Sequence, residues 1–345
     1  MNFFATQQML GVKVMDPKEV VKIDSASVEA LSFPKPLVIY HGKCADGFSA
    51  AWVFYNLSNY IEQEFDFHPG IYQEAPPDVS DRDVYLVDFS YKRQVVKDMI
   101  HFGGARSVTI IDHHLSAMKD LAGLDDEFAE DAKMMQMEMD GTHLSENWQN
   151  PLTLIFNMDM SGATMAWDYW KDVWEAAGIS RPLLLGHIED RDLWKFKLSL
   201  TREISAAVFS YEYTFENWDK LMAMDSVALL QLGVAGEAIE RKHHKDIAEL
   251  VSVCQRTLEI GGHVVPVASL PYTLTSDAGH LMASNYMGGE VFAACYWDTV
   301  DARIFSLRST ENGLDVSAIA SSYGGGGHKN AAGFKVPRDH ELAQA

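Results

Sequence analysis

The chain has 345 residues, 47% of them hydrophobic and 22% charged, the balance of an ordinary globular protein of about two domains. Lys and Arg number 28 against 49 Asp and Glu, a net charge of −21. That acidity excludes a protein that coats long nucleic acid, since phosphate binding relies on basic surface, and it weighs against docking on an anionic membrane. It leaves open a short anionic substrate held by metal cations, which invert the local electrostatics. Three widely spaced cysteines, Cys44, Cys254 and Cys295, form neither a disulfide framework nor a zinc motif. The first residues lack the basic and apolar regions of a signal peptide, and no apolar run nears the roughly 20 residues that span a bilayer. A cytoplasmic setting is therefore expected.

Residues 1–36 read as an N-terminal extension closed by Phe33-Pro34-Lys35-Pro36, where the prolines mark a boundary. Leu37-Val38-Ile39-Tyr40 reads as a buried strand, and 48–60 as a helix with Phe48, Ala51, Trp52 and Tyr55 at apolar spacing. Val84 to Val87 is a second strand, 91–102 a helix, and Ser107 to Ile111 a third strand. Strands alternating with helices imply βαβ units and a parallel sheet. Residues 115–150 interrupt this rhythm. They are acidic and methionine-rich, with Met134, Met135, Met137 and Met139, and read as a helical insertion. Leu152 to Phe156 is a further strand, and 162–177 an amphipathic helix whose Trp167, Trp170 and Trp174 belong to the core. A mostly helical connector at 216–257 carries His243-His244 among Arg241, Lys242 and Lys245, a solvated basic face. Residues 258–345 change character. His263 to Ser269, Val291 to Trp297 and Ala302 to Ser309 are strand-like, and 315–322 is a short helix before a glycine run. The fold class is α/β: a parallel-sheet N-terminal domain over 37–215 and a smaller C-terminal α/β domain.

Three of these strands run directly into polar functional groups. The first meets His41, with Asp46 five residues on; the second meets Asp88; the third meets Asp112-His113-His114. In open parallel sheets ligands bind outside the carboxyl ends of the strands, so these groups converge on one crevice. A single Asp after a strand is usually a turn former. Three coincident strand ends point instead to a divalent metal pair, which removes the repulsion among gathered carboxylates. Carboxylate with imidazole suits Mn, Fe or Zn better than Ca or Mg.

Asp112-His113-His114 after an apolar strand resembles the signature of the DHH phosphoesterase superfamily. His41-Gly42-Lys43-Cys44-Ala45-Asp46-Gly47 is similar to that family's first motif, Val87-Asp88 to its second, and Glu189-Asp190-Arg191-Asp192-Leu193-Trp194 to its fourth. Ser306-Leu307-Arg308-Ser309, followed by the run from Gly324 to Phe334, resembles the glycine-rich signature of the DHH-associated C-terminal domain. The resemblance spans about residues 37–336 in matching order.

The resemblance implies a DHH domain at 37–215, a substrate-binding domain at 258–345 and an active site in the cleft between them. It implies two divalent metal ions, most commonly Mn2+, held by His41, Asp46, Asp88, His113 and Asp190, with Asp88 as the bridging acid. His114 matches a catalytic position near the scissile phosphate, with Asp112 behind it. Arg308, Ser309, Gly325, Gly326, Gly327 and His328 match the substrate-holding part, where glycine N–H groups can approach a phosphate closely. The sequence departs from the family at Cys44, where many members carry Asp. A neutral thiol is a poor ligand for hard Mn2+, so one metal would be more weakly held, or its shell completed by water or by Asp192. Asp190 aligns with the fourth motif better than Asp192 does.

The implied activity is hydrolysis of short oligonucleotides, or of linear or cyclic dinucleotides, to mononucleotides by two-metal activation of water. The expected partner is a short nucleotide, with no long nucleic acid and no membrane; a homodimer is left open. The alternatives are a phosphomonoesterase of nucleoside bisphosphates and a nucleotide-binding sensor in which Cys44 has weakened catalysis.

Overall fold

The computed structural model describes residues 34–130, 150–285 and 292–345. The extension up to residue 33 and the methionines of 134–139 lie outside the described residues. The first strands form where the apolar runs predict them: β1 at Leu37–His41, β3 at Asp83–Val87, β4 at Ser107–Asp112 and β5 at Leu152–Phe156. With β2 (Asp66–Gly70) at one edge, all pair in parallel, in the order β2-β1-β3-β4-β5. Val38, Ile39, Leu86 and Ile110 are wholly buried, as befits strands covered on both faces. The edge strand β2, Asp66–Gly70, has no apolar signature, because its Asp66, Pro69 and Gly70 are strand-poor residues that only a sheet edge tolerates.

Helix α1 (Ala45–Leu57) starts three residues before the apolar spacing predicts. Cys44 is extended (φ −121°, ψ 137°) and its carbonyl accepts the Phe48 N–H at 3.0 Å, so the helix begins as soon as β1 has turned. Helices α2 (Arg93–His101) and α3 (Leu115–Leu121) follow β3 and β4. The single helix expected at 162–177 is two, α4 (Gly162–Tyr169) and α5 (Lys171–Ala177), broken at Trp170. The buried Trp174 indole donates to the Trp167 carbonyl at 3.1 Å, supplying a partner at the break, and the two indoles stack at 4.5 Å. Helices α6 (Leu183–Asp192), α7 (Thr201–Val208), α8 (Phe215–Met222) and α9 (Ser226–Cys254) complete the helical part.

The C-terminal sheet is mixed, with order β10-β11-β9-β8-β7-β6 and only β7–β8 parallel. Its strands are β6 (Arg256–Ile260), β7 (His263–Ser269), β8 (Phe292–Asp298), β9 (Ala302–Ser309), β10 (Gly326–His328) and β11 (Ala331–Pro337), with helices α10 (Thr275–Asn285) and α11 (Val316–Ser322). Val265, Val267, Phe292, Phe305 and Val316 build its core. Of the glycine run, Gly326 and Gly327 lie in β10, and Gly324 and Gly325 precede it. The architecture is therefore α/β, with a parallel five-stranded sheet and a second, mixed sheet. The chain groups into one unit running to His113 with Leu121–Leu198 and Tyr211–Ser226, and a second comprising His114–Asp120, Ser199–Ser210 and Val227–Ala345. Among the described residues no single helix is long and apolar enough to cross a membrane.

Candidate metal centre

Parallel pairing brings the carboxyl ends of β1, β3 and β4 level with one another. His41 closes β1, Asp88 follows β3, and Asp112 closes β4 just before His113. Asp88 sits in the left-handed region (φ 53°), rare for a residue with a Cβ and worth roughly 1–3 kcal/mol of strain. Its N–H donates to the Ile111 carbonyl at 2.9 Å. Its Oδ1 lies 3.0 Å from His113 Nε2 and its Oδ2 3.4 Å from His41 Nδ1, so one carboxylate faces both imidazoles.

Asp46 enters from the first turn of α1. Its two oxygens accept the Gly162 and Ala163 N–H groups at 2.6 and 3.1 Å, donors that the start of α4 leaves without an intrahelical partner. Gly162 is required here, since a Cβ would stand 2.4 Å from the Asp88 Cβ. Asp46 lies 3.8 Å and Asp192 3.4 Å from His113 Nε2. Asp46, His113 and Asp192 each offer a ligand atom within 4.8 Å of the others.

The four residues at the end of α6 divide their tasks. Glu189 accepts the Ser161 N–H at 3.3 Å and the Thr164 hydroxyl, tying α6 to the start of α4. The Asp190 oxygens accept the backbone N–H groups of Lys197 (2.8 Å) and Leu198 (2.9 Å). Arg191 lies over the Trp194 ring at 4.2 Å. Asp192 reaches His113. The motif alignment favours Asp190; in the structure Asp190 fastens the following loop, and Asp192 is the acid within reach of His113.

Burial, together with Asp88 and Asp192, pushes the Asp46 carboxyl well above its usual range. Burial lowers the His113 pKa, but its hydrogen bond to Asp88 and the charges of Asp192, Asp88 and Asp46 outweigh that and raise it well above normal. His41 is raised in the same way, chiefly by Asp88 against its own burial. Asp88 is held low despite burial by hydrogen bonds from His113 and His41. Burial and the same acids push the Cys44 thiol far up, so it is neutral. The protein thus draws protons onto imidazole and carboxylate where acids crowd, the place a cation would fill. The donor set of carboxylates and imidazoles fits a divalent transition metal such as Mn2+. His41, Asp46, Asp88, His113 and Asp192 are the residues that could hold it.

The other expected site residues lie in the second unit, save Asp112. Asp112 is fully buried, and its Oδ1 accepts the His113 N–H at 2.8 Å. His114 stacks on His328, ring centroids 4.3 Å apart. The Arg308 guanidinium donates to Ser306 Oγ (3.0 Å), the Leu307 carbonyl (2.8 Å) and Ser276 Oγ (2.6 Å). Two expectations are corrected. The Ser309 hydroxyl is not presented to a ligand: Ser309 is fully buried, donating to the Leu314 carbonyl and accepting from Asn330 Nδ2, both at 2.8 Å. The glycine N–H groups do not form an open phosphate cradle. Gly325 N–H donates to the Ala320 carbonyl (2.9 Å), Gly327 N–H to Ser116 Oγ (2.8 Å), and Gly326 lies in β10 opposite Gly333.

The linear reading missed Glu189 and Gly162 beside the metal centre, and Ser276 as a partner of Arg308 within the second unit. Ser161-Gly162-Ala163-Thr164 did carry a signal, an N-cap serine whose side chain accepts the Thr164 N–H. Nothing in the sequence shows that the first turn of this helix receives Asp46.

No family model matches the chain. An uncharacterized protein, R106, of Acanthamoeba polyphaga mimivirus is 25% identical over 318 residues, covering 86% of this chain. The chain spans 66% of that relative's length. Similar solved structures include a DHH domain described as a member of a family of ribosomal proteins, at 11% identity. It covers 90% of this chain and 85% of that one, with a TM-score of 0.48. RecJ from Thermus thermophilus with Mn2+ is 13% identical over 87% of this chain and 49% of its own, TM-score 0.42. The pGpG-specific phosphodiesterase PggH from Vibrio cholerae is 15% identical over 88% and 94%, TM-score 0.32.

Proposed function

We propose that this chain is a divalent-metal-dependent phosphoesterase of the DHH superfamily that hydrolyses short oligonucleotides, or linear or cyclic dinucleotides, to mononucleotides. The observation that carries this reading is the convergence of His41, Asp46, Asp88, His113 and Asp192 at the ends of parallel strands, in a chain whose motifs follow the family's order. When bound, divalent metal ions supply water activation at neutral pH and positive charge for phosphoryl oxygens, and Mn2+ is the ion this donor set suits. Asp88 orients His113 and His41 through one carboxylate. Asp46 and Asp192 flank His113 and supply the charge that makes the pocket select a cation. In the second unit, Ser276 and Ser306 fix the Arg308 guanidinium, whose planar fork suits a phosphate. His114 serves as hydrogen-bond donor to the phosphoryl group or proton donor to the leaving oxygen, with its ring orientation supported by His328.

The test is incubation of the purified chain with Mn2+ and a panel of dinucleotides, cyclic dinucleotides, short RNA and a nucleoside bisphosphate, with products resolved by chromatography. Release of mononucleotides that stops on chelation and returns with Mn2+ is expected. Asp88→Ala is expected to abolish it in a folded protein, and near-normal turnover in that variant would sink the assignment. A nucleotide-binding sensor is the second reading, favoured by the neutral Cys44 thiol where many members carry an acid. Tight binding without turnover across the panel would select it.

A further inference from the structure

Beside the proposed metal centre stands an aromatic group for which the motif reading assigns no role. β1 and β2 are in register with His41 opposite Gly70, so the chain leaving β2 passes directly alongside His41. Residues 71–74 form a turn closed by the Glu74 N–H to the Ile71 carbonyl (3.1 Å), with Gln73 in the left-handed region (φ 67°). This turn sets Tyr72 against the site. Its ring meets the His41 imidazole edge-on, with centroids 5.3 Å apart and planes at 66°. On its other side it packs on Phe89 at 4.9 Å. Phe89 is fully buried, follows the strained Asp88 directly, and lies 6.2 Å from the His41 ring. His41, Tyr72 and Phe89 are thus mutually packed rings. The polar edge of the imidazole leaves this group toward Asp88, at 3.4 Å from Nδ1 to Oδ2.

We propose that Tyr72 is a positioning residue, which with Phe89 fixes the plane of the His41 imidazole so that its nitrogens face the metal centre. This rests on the reading of His41 as a metal ligand. The physical argument is orientational. A histidine at a strand end has two free side-chain torsions, and its own side chain is about a quarter exposed. The Asp88 contact fixes where Nδ1 points without fixing the ring plane. Edge-on aromatic packing, which has a preferred geometry, supplies a further constraint on the plane. Removing such a packing constraint is expected to weaken metal binding by about 2–10-fold. The contribution assigned to Tyr72 is its ring rather than its hydroxyl.

Mn2+ binding to the full chain, read by isothermal titration calorimetry and by the electron-paramagnetic-resonance spectrum of bound Mn2+, tests this. Tyr72→Phe keeps wild-type affinity and spectrum. Tyr72→Leu weakens binding by about 2–10-fold and broadens the spectrum, with circular dichroism confirming the fold. Should Tyr72→Leu not fold, Tyr72→Met provides bulk without a plane and is expected to show the same loss. In a His41→Ala background the Tyr72 change adds nothing, since the two act through one contact. Wild-type affinity in the Leu and Met variants overturns the proposal. So does an equal loss in Tyr72→Phe, or a full additive loss beside His41→Ala. Absence of divalent-metal binding by the wild-type chain overturns the metal-centre reading itself and this role with it. Mn2+ binding that is indifferent to His41→Ala overturns the part played by His41 and Tyr72 alone.

Discussion

Asp190 and Asp192 stand two positions apart on α6 and do different work. The Asp190 oxygens hold two backbone N–H groups of the loop at 197–198, while Asp192 lies 3.4 Å from His113. Hydrogen bonds to a charged group are worth about 1.5–3 kcal/mol each, an upper bound here because Lys197 and Leu198 are exposed and water can replace the acid. Asp190→Ala is therefore expected to lower the melting temperature while leaving Mn2+ binding largely intact. Asp192→Ala is expected to do the reverse, cutting Mn2+ affinity by more than the roughly 10–100-fold that loss of an outer partner costs. Thermal denaturation and calorimetric titration of both variants check the pair. The motif pattern could not separate them, because both acids fall in the same four-residue run. The choice depends on where the chain after α6 folds back.

Among the elements, α9 shows why a long helix keeps two glycines. Gly233 and Gly236 each cost about 0.5–1 kcal/mol in helix propensity relative to Ala. A Cβ at Gly236 would lie 1.8 Å from the Glu203 carbonyl oxygen of α7, so the helices cross too closely for any side chain. Gly236→Ala is expected to destabilise the protein despite its better propensity, by roughly 1–3 kcal/mol or more, measurable by urea denaturation. The β8–β9 pair gives a pH prediction. The Arg303 hydrogen bond, joined by Arg338, holds the Asp298 carboxyl down at about 2 against the opposing effect of burial. A carboxyl whose pKa is depressed by folding stabilises above its unfolded value, near 4, and that contribution disappears as pH falls through about 2. The melting temperatures of wild type and Asp298→Asn should therefore differ at neutral pH and converge between pH 4 and 2. Asp298 is more than a third exposed, so the difference will be small and will shrink with salt.

At the scale of the whole molecule, the proposed activity together with the charge of −21 leads to an expectation about substrate length. A short phosphodiester meets the acidic surface over little of its length, whereas a long strand lays many phosphates across it. Hydrolysis under Mn2+ is expected to fall steeply between dinucleotides and oligomers of a few tens of residues, and added salt should narrow that difference by screening. Equal rates on both would refute the argument. Metal binding should also stabilise the fold, because the crowded acids repel without it. A ligand at 100 times its dissociation constant contributes about 2.7 kcal/mol, so Mn2+ should raise the melting temperature and chelation reverse it.

The sequence by itself determined the parallel sheet, since apolar runs such as Leu37–Tyr40 and Val108–Ile111 can be satisfied only where both faces are covered. It determined that His41, Asp88 and His113 share a strand-end locus, because parallel register fixes which ends coincide. The edge strand β2 and the strands of the glycine run were illegible, because their residues favour neither state until a neighbouring strand pairs with them. Only the tertiary structure decided that Asp192 rather than Asp190 reaches His113, that α4 offers its first N–H groups to Asp46, and that Ser309 is buried. Each of these depends on contacts between segments far apart in the chain, which no local pattern encodes.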